Sequence, residues 1–176
     1  MHYWQTRHME GFGIVIRAAQ GSDADFLTDM LVAAAGWQQP ITREAVLAAP
    51  ELRHYIEGWP RPDDLGVVAT ISDGEPIGAA WLRVFTDADP GYGYIADDVP
   101  ELSIGVRPDW RGRGVGRNLL RALLWKAAAV SVVRISLSVE PANPAIRLYR
   151  TEGFQTVFAG DSAETMVKQL SRNGSR

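Results

Sequence analysis

One stretch limits the possible folds of this chain more than any other: RPDWRGRGVGRNLL, residues 107 to 120. Gly112, Gly114 and Gly116 stand at every second position, with Arg111, Arg113 and Arg117 between and beside them. The preceding Glu101-Leu102-Ser103-Ile104-Gly105-Val106 alternates as a strand does, and NLLRALLWKAAAV behind the glycines carries leucines at helical spacing. VRISLSV then has apolar residues at alternate positions, so residues 101 to 139 read as strand, turn, helix, strand. Amides exposed in a turn, continued by the free amides of a helix start, form a concave donor set for phosphate oxygens. Glycines let the backbone approach such a ligand closely, and arginines add positive charge. The same residues also read as a solvated basic turn whose glycines serve geometry alone.

The flanking segments complete one mixed α/β layer structure. FGIVIRAAQ begins as a buried strand, and Ser22 or Asp23 can cap a helix that runs through Ala35. Gly36, Pro40, Gly58, Pro60 and Pro62 punctuate the next region, leaving room for a second helix from about Thr42 and a broken third ending near Ile56. LGVVATISDGEPIGAAWLRVF reads as a hairpin about Ser72-Asp73-Gly74-Glu75, because glycine accepts positive φ cheaply. TDADPGYGYIADDVP is a long loop able to rim a site. Asn143-Pro144 starts another helix and Gly153 stops it; FQTVFAG and ETMVKQL are two terminal strands.

With 176 residues, 46% of them hydrophobic and 22% charged, the chain fits one domain, residues 1–176, with a core over about 13–170. Residues 1–12 read as an N-terminal extension and 171–176 as a frayed tail. The absence of cysteine excludes a disulfide framework, thiolate metal sites and an acyl-cysteine intermediate. His2, His8 and His54 lie too far apart for a local metal motif, so no metal is expected. A net charge of −3 offers no broad cationic face to nucleic acid, so a phosphate partner should be small. MHYWQTRHMEGFG lacks the apolar core of a secretory signal, and the apolar run from Ala122 to Val133 is short and broken by Lys126; a cytoplasmic protein without membrane partner is expected.

A Walker-type loop needs Gly-Lys-Ser/Thr, which is missing, and the dinucleotide fingerprint needs GxGxxG where this chain has GxGxG. The residues instead resemble the GNAT superfamily of N-acetyltransferases, whose pyrophosphate loop follows Q/R-x-x-G-x-G/A; Arg111, Gly114 and Gly116 match it. The likeness extends to the order of elements and to Asn143, Leu148-Tyr149 and Gly153-Phe154 at the separation found in that superfamily. It implies a mixed, mostly antiparallel central sheet of about seven strands flanked by about four helices, with a splayed parallel strand pair forming an acetyl-CoA cleft.

By the same resemblance, the main chain of Ile104, Gly105 and Val106 would face the pantetheine arm as an added strand would. Gly105 reads in addition as the mark of a bulge. The amides of Gly112, Arg113, Gly114, Val115, Gly116 and Arg117, with Arg111 at the head of the loop, would hold the pyrophosphate. Asn143 matches a cofactor-facing asparagine, and also sits where any helix wants a cap. Tyr149 matches the tyrosine that protonates the departing thiolate; otherwise it is a core tyrosine whose hydroxyl hydrogen-bonds sulfur. Glu101 is the candidate base, removing the amine's proton directly or through water, with an exposed strand-end glutamate as the alternative and Asp97, Asp98 and water as competitors.

The implied reaction is direct attack of a primary amine of a small molecule or peptide on acetyl-CoA in a ternary complex, with amides near Val106 polarising the carbonyl. Trp37, Trp59, Trp81, Tyr92 and Tyr94, with Asp87, Asp89, Asp97 and Asp98, lie in or near the segments that form the acceptor side in related folds, and suit a cationic amine or serve as anchors and a solvated acidic face. Some protein N-terminal acetyltransferases of the superfamily carry a glutamate near the position of Ser138, and its absence argues mildly against ribosomal-protein-type substrates. A non-catalytic acyl-CoA-binding or regulatory module is the alternative; a kinase-like domain lacks its lysine and magnesium-ligand pattern. A homodimer stays open.

Overall fold

A computed structural model describes residues 13–171; His2, His8, the extension 1–12 and residues 172–176 of the tail lie outside the described residues. Strand β1, Val15–Ala18, leads into a 3-10 turn, Gly21–Asp23, where the Asp23 carboxylate accepts from the Gln20 amide at 2.7 Å and from Arg17. Helix α1, Ala24–Ala35, follows and ends at Gly36. Thr42 caps α2, Arg43–Ala48, by accepting from the Ala45 amide at 3.1 Å. Ala49 is extended, as a residue before proline must be, so Pro50 opens a separate short helix α3, Pro50–Arg53, instead of continuing α2. This break makes five α-helices among the described residues, as the second and broken third helices read from the sequence require, where the resemblance implied about four.

Strands β2, Leu65–Thr70, and β3, Pro76–Arg83, form the expected hairpin, closed by Gly74 N–H donating to the Ile71 carbonyl with Gly74 at φ +92°. The central unit is β4, Glu101–Val106, α4, Val115–Ala129, and β5, Arg134–Val139. Helix α5, Ala145–Thr151, and strands β6, Gln155–Ala159, and β7, Glu164–Gln169, complete the chain. The seven strands run β1-β2-β3-β4-β5-β7-β6, all neighbours antiparallel except β4 and β5.

Each face of the sheet is sealed by its own core. On one, Leu119, Leu120 and Leu123 of α4 are fully buried against Ala80, Leu82, Ile135 and Leu137. On the other, Leu27, Met30 and Leu31 of α1 pack with Tyr55, Val68, Ala79, Trp81 and Phe85. Each such leucine contributes about 2 kcal/mol through removal of apolar surface from water. Arg83 and Asp64, both nearly inaccessible, pair at 2.6 Å, and the same guanidinium donates to the carbonyls of His54 and Glu57. That contact pins the segment after α3, and Tyr55 with it, to the end of β3. None of the described helices is long and apolar enough to cross a membrane.

Candidate active site

The site begins where β4 and β5 part. They share one register pair, Glu101 with Ser136, while β3 and β4 pair along all six residues of β4. Arg107 N–H donates to Ile77 on β3 at 2.9 Å, and Pro100 C=O accepts from Ser136 on β5 at 3.0 Å. Main-chain groups of a strand alternate in direction, so Glu101, Ser103 and Gly105 turn theirs toward β3, and Ile104 and Val106 turn theirs toward the gap. Gly105 therefore departs from the sequence reading twice. Its main chain faces β3, and its register with Ala79 is regular, without a bulge. Glycine is needed there because a Cβ would lie 2.4 Å from the Met30 carbonyl oxygen, where α1 crosses the strand.

The glycine-rich turn lies beside this open edge. Gly112 and Gly114 have φ of +72° and +80°, a left-handed conformation costly for other residues. The first intrahelical bond of α4 runs from Asn118 N–H to the Gly114 carbonyl, so the amides of Val115, Gly116 and Arg117 have no acceptor within the helix. Gly116 differs from its neighbours. A Cβ on it would sit at 3.7 Å from Leu148 Cδ2, 3.8 Å from Val106 Cγ2 and 4.0 Å from Ile104 Cδ1, ordinary contacts at a position without positive φ. Alanine would fit there and stabilise the helix by roughly 0.5–1 kcal/mol, so the protein's own packing does not call for glycine.

The arginines are partly engaged. Arg111 donates through Nε to the outward carbonyl of Val106 at 3.2 Å and through a terminal nitrogen to Ala33 of α1 at 3.5 Å. Arg113 lies over the Trp110 ring at 5.0 Å, and Arg117 approaches Glu152 at 3.7 Å. Asn143 Oδ1 accepts from the Ala145 amide at 2.9 Å, which is the capping role; its Nδ2 amide is chemically able to serve a ligand at the same time. Tyr149, on α5, is 7% exposed, packs edge-to-face with Phe154, and has its phenol pKa raised by burial.

Glu101 is not an exposed strand-end carboxylate: it is 3% exposed, beneath the loop that joins β3 to β4. Its Oε1 accepts from Tyr55 Oη at 2.6 Å and from the Gly93 amide at 2.9 Å, whereas its buried Oε2 has no partner among the described residues. Burial pushes its pKa up to about 7 against these two hydrogen bonds, which pull it down. The loop reaches this depth only because it carries glycines: a Cβ on Gly91 would fall 2.1 Å from Glu101 Oε2, and one on Gly93 2.6 Å from the Leu137 carbonyl carbon. Ser136, the partner of Glu101 across the parting strands, also has a buried hydroxyl without a hydrogen bond among the described residues.

The competing carboxylates are occupied elsewhere. Asp97 accepts from Tyr94 Oη and the Asp87 amide, and Asp98 pairs with Arg134 at 3.5 Å, both exposed. Trp81 is core, donating to the Tyr55 carbonyl, and Trp59 donates to the Gln20 carbonyl while its ring fills the space over Gly66. Tyr92 is exposed and stacks on Tyr55, and Trp37 reaches Glu140 at 3.3 Å.

An open strand edge, a left-handed glycine turn and uncapped α4 amides thus converge. The family described as "Acetyltransferase (GNAT) family" matches residues 30–154. The chain belongs to the GNAT acetyltransferase family. A mycothiol acetyltransferase from a Nocardioides species is 30% identical over 147 residues, 81% of this chain and 50% of that protein. The chain thus spans about half the length of that relative. Among solved structures, the GNAT domain of S. lividans PAT shares the fold with TM-score 0.66 and 21% identity, covering 89% of this chain and 90% of that one. A phosphinothricin acetyltransferase from Sinorhizobium meliloti, solved in complex with AcCoA, does so with TM-score 0.63 and 21% identity, covering 89% and 88%. In this GNAT chain the fold and the glycine turn were legible in sequence; Tyr55, Gly91 and Gly93 were not singled out. The spaced pair in PGYGY is a signal for a backbone that must pass close to something. Tyr55, within ELRHYIEGW, carries no such mark.

Proposed function

We propose that the protein is an N-acetyltransferase that moves the acetyl group of acetyl-CoA to the primary amine of a small molecule by direct attack in a ternary complex. The observation that carries this reading is the parting of β4 and β5 beside the α4 amides: an unpaired strand edge and an anion cradle meet at one place. The cradle fits the group. Gly116 leaves room for a methyl that the protein itself does not need, and the outward main chain of Ile104 and Val106 is suited to pair with the amides of a pantetheine arm. When bound, acetyl-CoA supplies the activated thioester carbonyl.

The chain's residues then divide the work. Amides from Gly112 to Arg117 bind the diphosphate, with Arg111 holding the loop to β4 and α1 and Asn143 Nδ2 offering a further donor. The Val106 amide faces the gap and can polarise a carbonyl there. Glu101, titrating near neutrality, takes the proton that the amine must lose as its nitrogen bonds to the acetyl carbon and the carbon–sulfur bond breaks. Tyr149 supplies a hydrogen bond and a proton to the leaving sulfur. A phenol raised by burial stays protonated across the working range, so it stabilises the thiolate first as a donor.

A small-molecule acceptor is supported by the name shared by relatives such as the Nocardioides protein. The test has two arms. Calorimetry of the protein with acetyl-CoA should give saturable heat, and free thiol should appear when the protein meets acetyl-CoA and amino acids, amino sugars or polyamines. Heat without thiol release across the whole panel returns the protein to a binding module, and no heat at all removes the reading.

A further inference from the structure

The Glu101 carboxyl has two chemically different oxygens. Oε1 is saturated, with Tyr55 Oη at 2.6 Å and the Gly93 amide at 2.9 Å both donating to it. Oε2 is buried with no partner among the described residues, at the place where only a glycine at position 91 leaves it room. The hydroxyl of Tyr55 cannot choose its direction freely, because Tyr92 N–H donates to it at 2.7 Å. With that lone pair engaged, the phenolic proton points at the carboxylate. The Tyr55 ring is held by His54, Phe85 and Tyr92 at centroid distances of 4.8, 4.9 and 6.2 Å, and its carbonyl accepts from Trp81.

We propose that Tyr55 is a positioning residue for acyl transfer: the chain Tyr92 N–H, Tyr55 O–H, Glu101 Oε1, together with the Gly93 amide, fixes the carboxyl so that the substrate proton is received and carried on Oε2 alone. The inference rests on the assignment of Glu101 as base. The proton balance is simple. The amine's N–H bond breaks, an O–H bond forms at Oε2, and Oε1, already taking two donors, becomes the carbonyl oxygen of the neutral acid. Later loss of that proton to solvent resets the carboxylate.

Other charged groups near the pocket are committed to partners of their own. His54 meets Asp89 at 2.8 Å, Arg83, which pairs with Glu101 in register, is held by Asp64, and Asp98 is beside Arg134. Ser136, the register partner of Glu101 on β5, brings a neutral hydroxyl. Tyr55 is thus the side chain whose removal changes the carboxyl most directly.

The experiment is a carbon-13 NMR titration of the Glu101 carboxyl in the full chain and in Tyr55→Phe, with pH–rate profiles of both. Loss of the Tyr55 donor should move the carboxyl midpoint upward by about one pH unit, and the acidic limb of kcat should move with it. KM for acetyl-CoA should stay unchanged, and activity should recover at high pH. An unmoved NMR midpoint, or a loss of kcat equal at every pH, overturns the proposal. If the NMR midpoint moves while the rate profile does not, Oε1 is held as described but Glu101 is not the base; that result overturns both the catalytic part of the proposal and the base assignment. Should Tyr55→Phe fail to fold, the infrared carbonyl band of protonated Glu101, identified by subtracting Glu101→Gln, decides. A doubly hydrogen-bonded Oε1 gives one strongly lowered band, and a band at the free-acid position overturns the proposal.

Discussion

Two glycine-rich segments lie at opposite ends of β4, one over Glu101 and one beside Val106, and they use the same residue for opposite reasons. In the turn before α4, a Cβ on Gly112 would meet nothing within 4 Å and one on Gly116 would make only ordinary contacts. In the loop over β4, a Cβ on Gly91 or Gly93 would collide at 2.1 and 2.6 Å with the protein itself. The first segment keeps space that the chain does not fill; the second removes space so that a carboxyl can be covered. The difference teaches that a glycine pattern in sequence reports close approach, and only the fold says whether the thing approached is a ligand or the chain.

Four experiments break or sharpen this contrast. The largest effect is expected at the covered carboxyl: Glu101→Gln should lower the rate of thiol release by about 10²-fold or more, and should abolish a rise in rate centred near pH 7. An unchanged steady-state pH profile would leave Glu101 as no more than an anchor for its loop.

Stability should depend on the same group with a definite sign. The carboxyl titrates near 7 when folded and at about its ordinary 4.5 when unfolded. Below pH 4.5 both states hold the proton; between 4.5 and 7 only the folded state does, so stability falls as pH rises through that window. The loss should approach about 3 kcal/mol at pH 7 and above, read by urea unfolding at several pH values, and Glu101→Gln should flatten it. A slope of the opposite sign would mean that the pocket favours the charged form.

Gly91→Ala comes next. The added methyl has to displace Glu101 or the loop, at a cost of about 1–3 kcal/mol, so thermal unfolding should occur at lower temperature and activity should fall with it. The smallest effect is the most discriminating. Gly116→Ala should stabilise the protein by roughly 0.5–1 kcal/mol in chemical unfolding while weakening acetyl-CoA binding several-fold by calorimetry. If affinity is retained, the space above Gly116 is not where the diphosphate lies.

How far the sequence carried can be judged at particular residues. The strand ELSIGV, the Asp73-Gly74 turn and the leucines of α4 were readable because their signals are local: period-two alternation, tolerance of positive φ, helical spacing. Thr42 was readable as the approximate start of α2 for the same reason, and the structure makes it the cap. Gly105 was misread because its constraint comes from Met30, 75 positions earlier in the chain, where α1 lies across β4. Glu101 could be named as a candidate but not distinguished from a solvent-exposed carboxylate. Tyr55, which hydrogen-bonds it, is 46 residues away in sequence, and Gly93, its other donor, is 8.

The sequence by itself determined the order of elements, the seven strands and the glycine-rich turn at the head of α4, since each follows from propensities and spacings within a few neighbouring residues. Only the tertiary structure decided which backbone groups of β4 are left without a strand partner and which carboxyl oxygen is left without a donor. Both outcomes depend on what distant segments bring into contact, and a hydrogen bond or a collision between them is settled by distances of tenths of an ångström that no local pattern encodes.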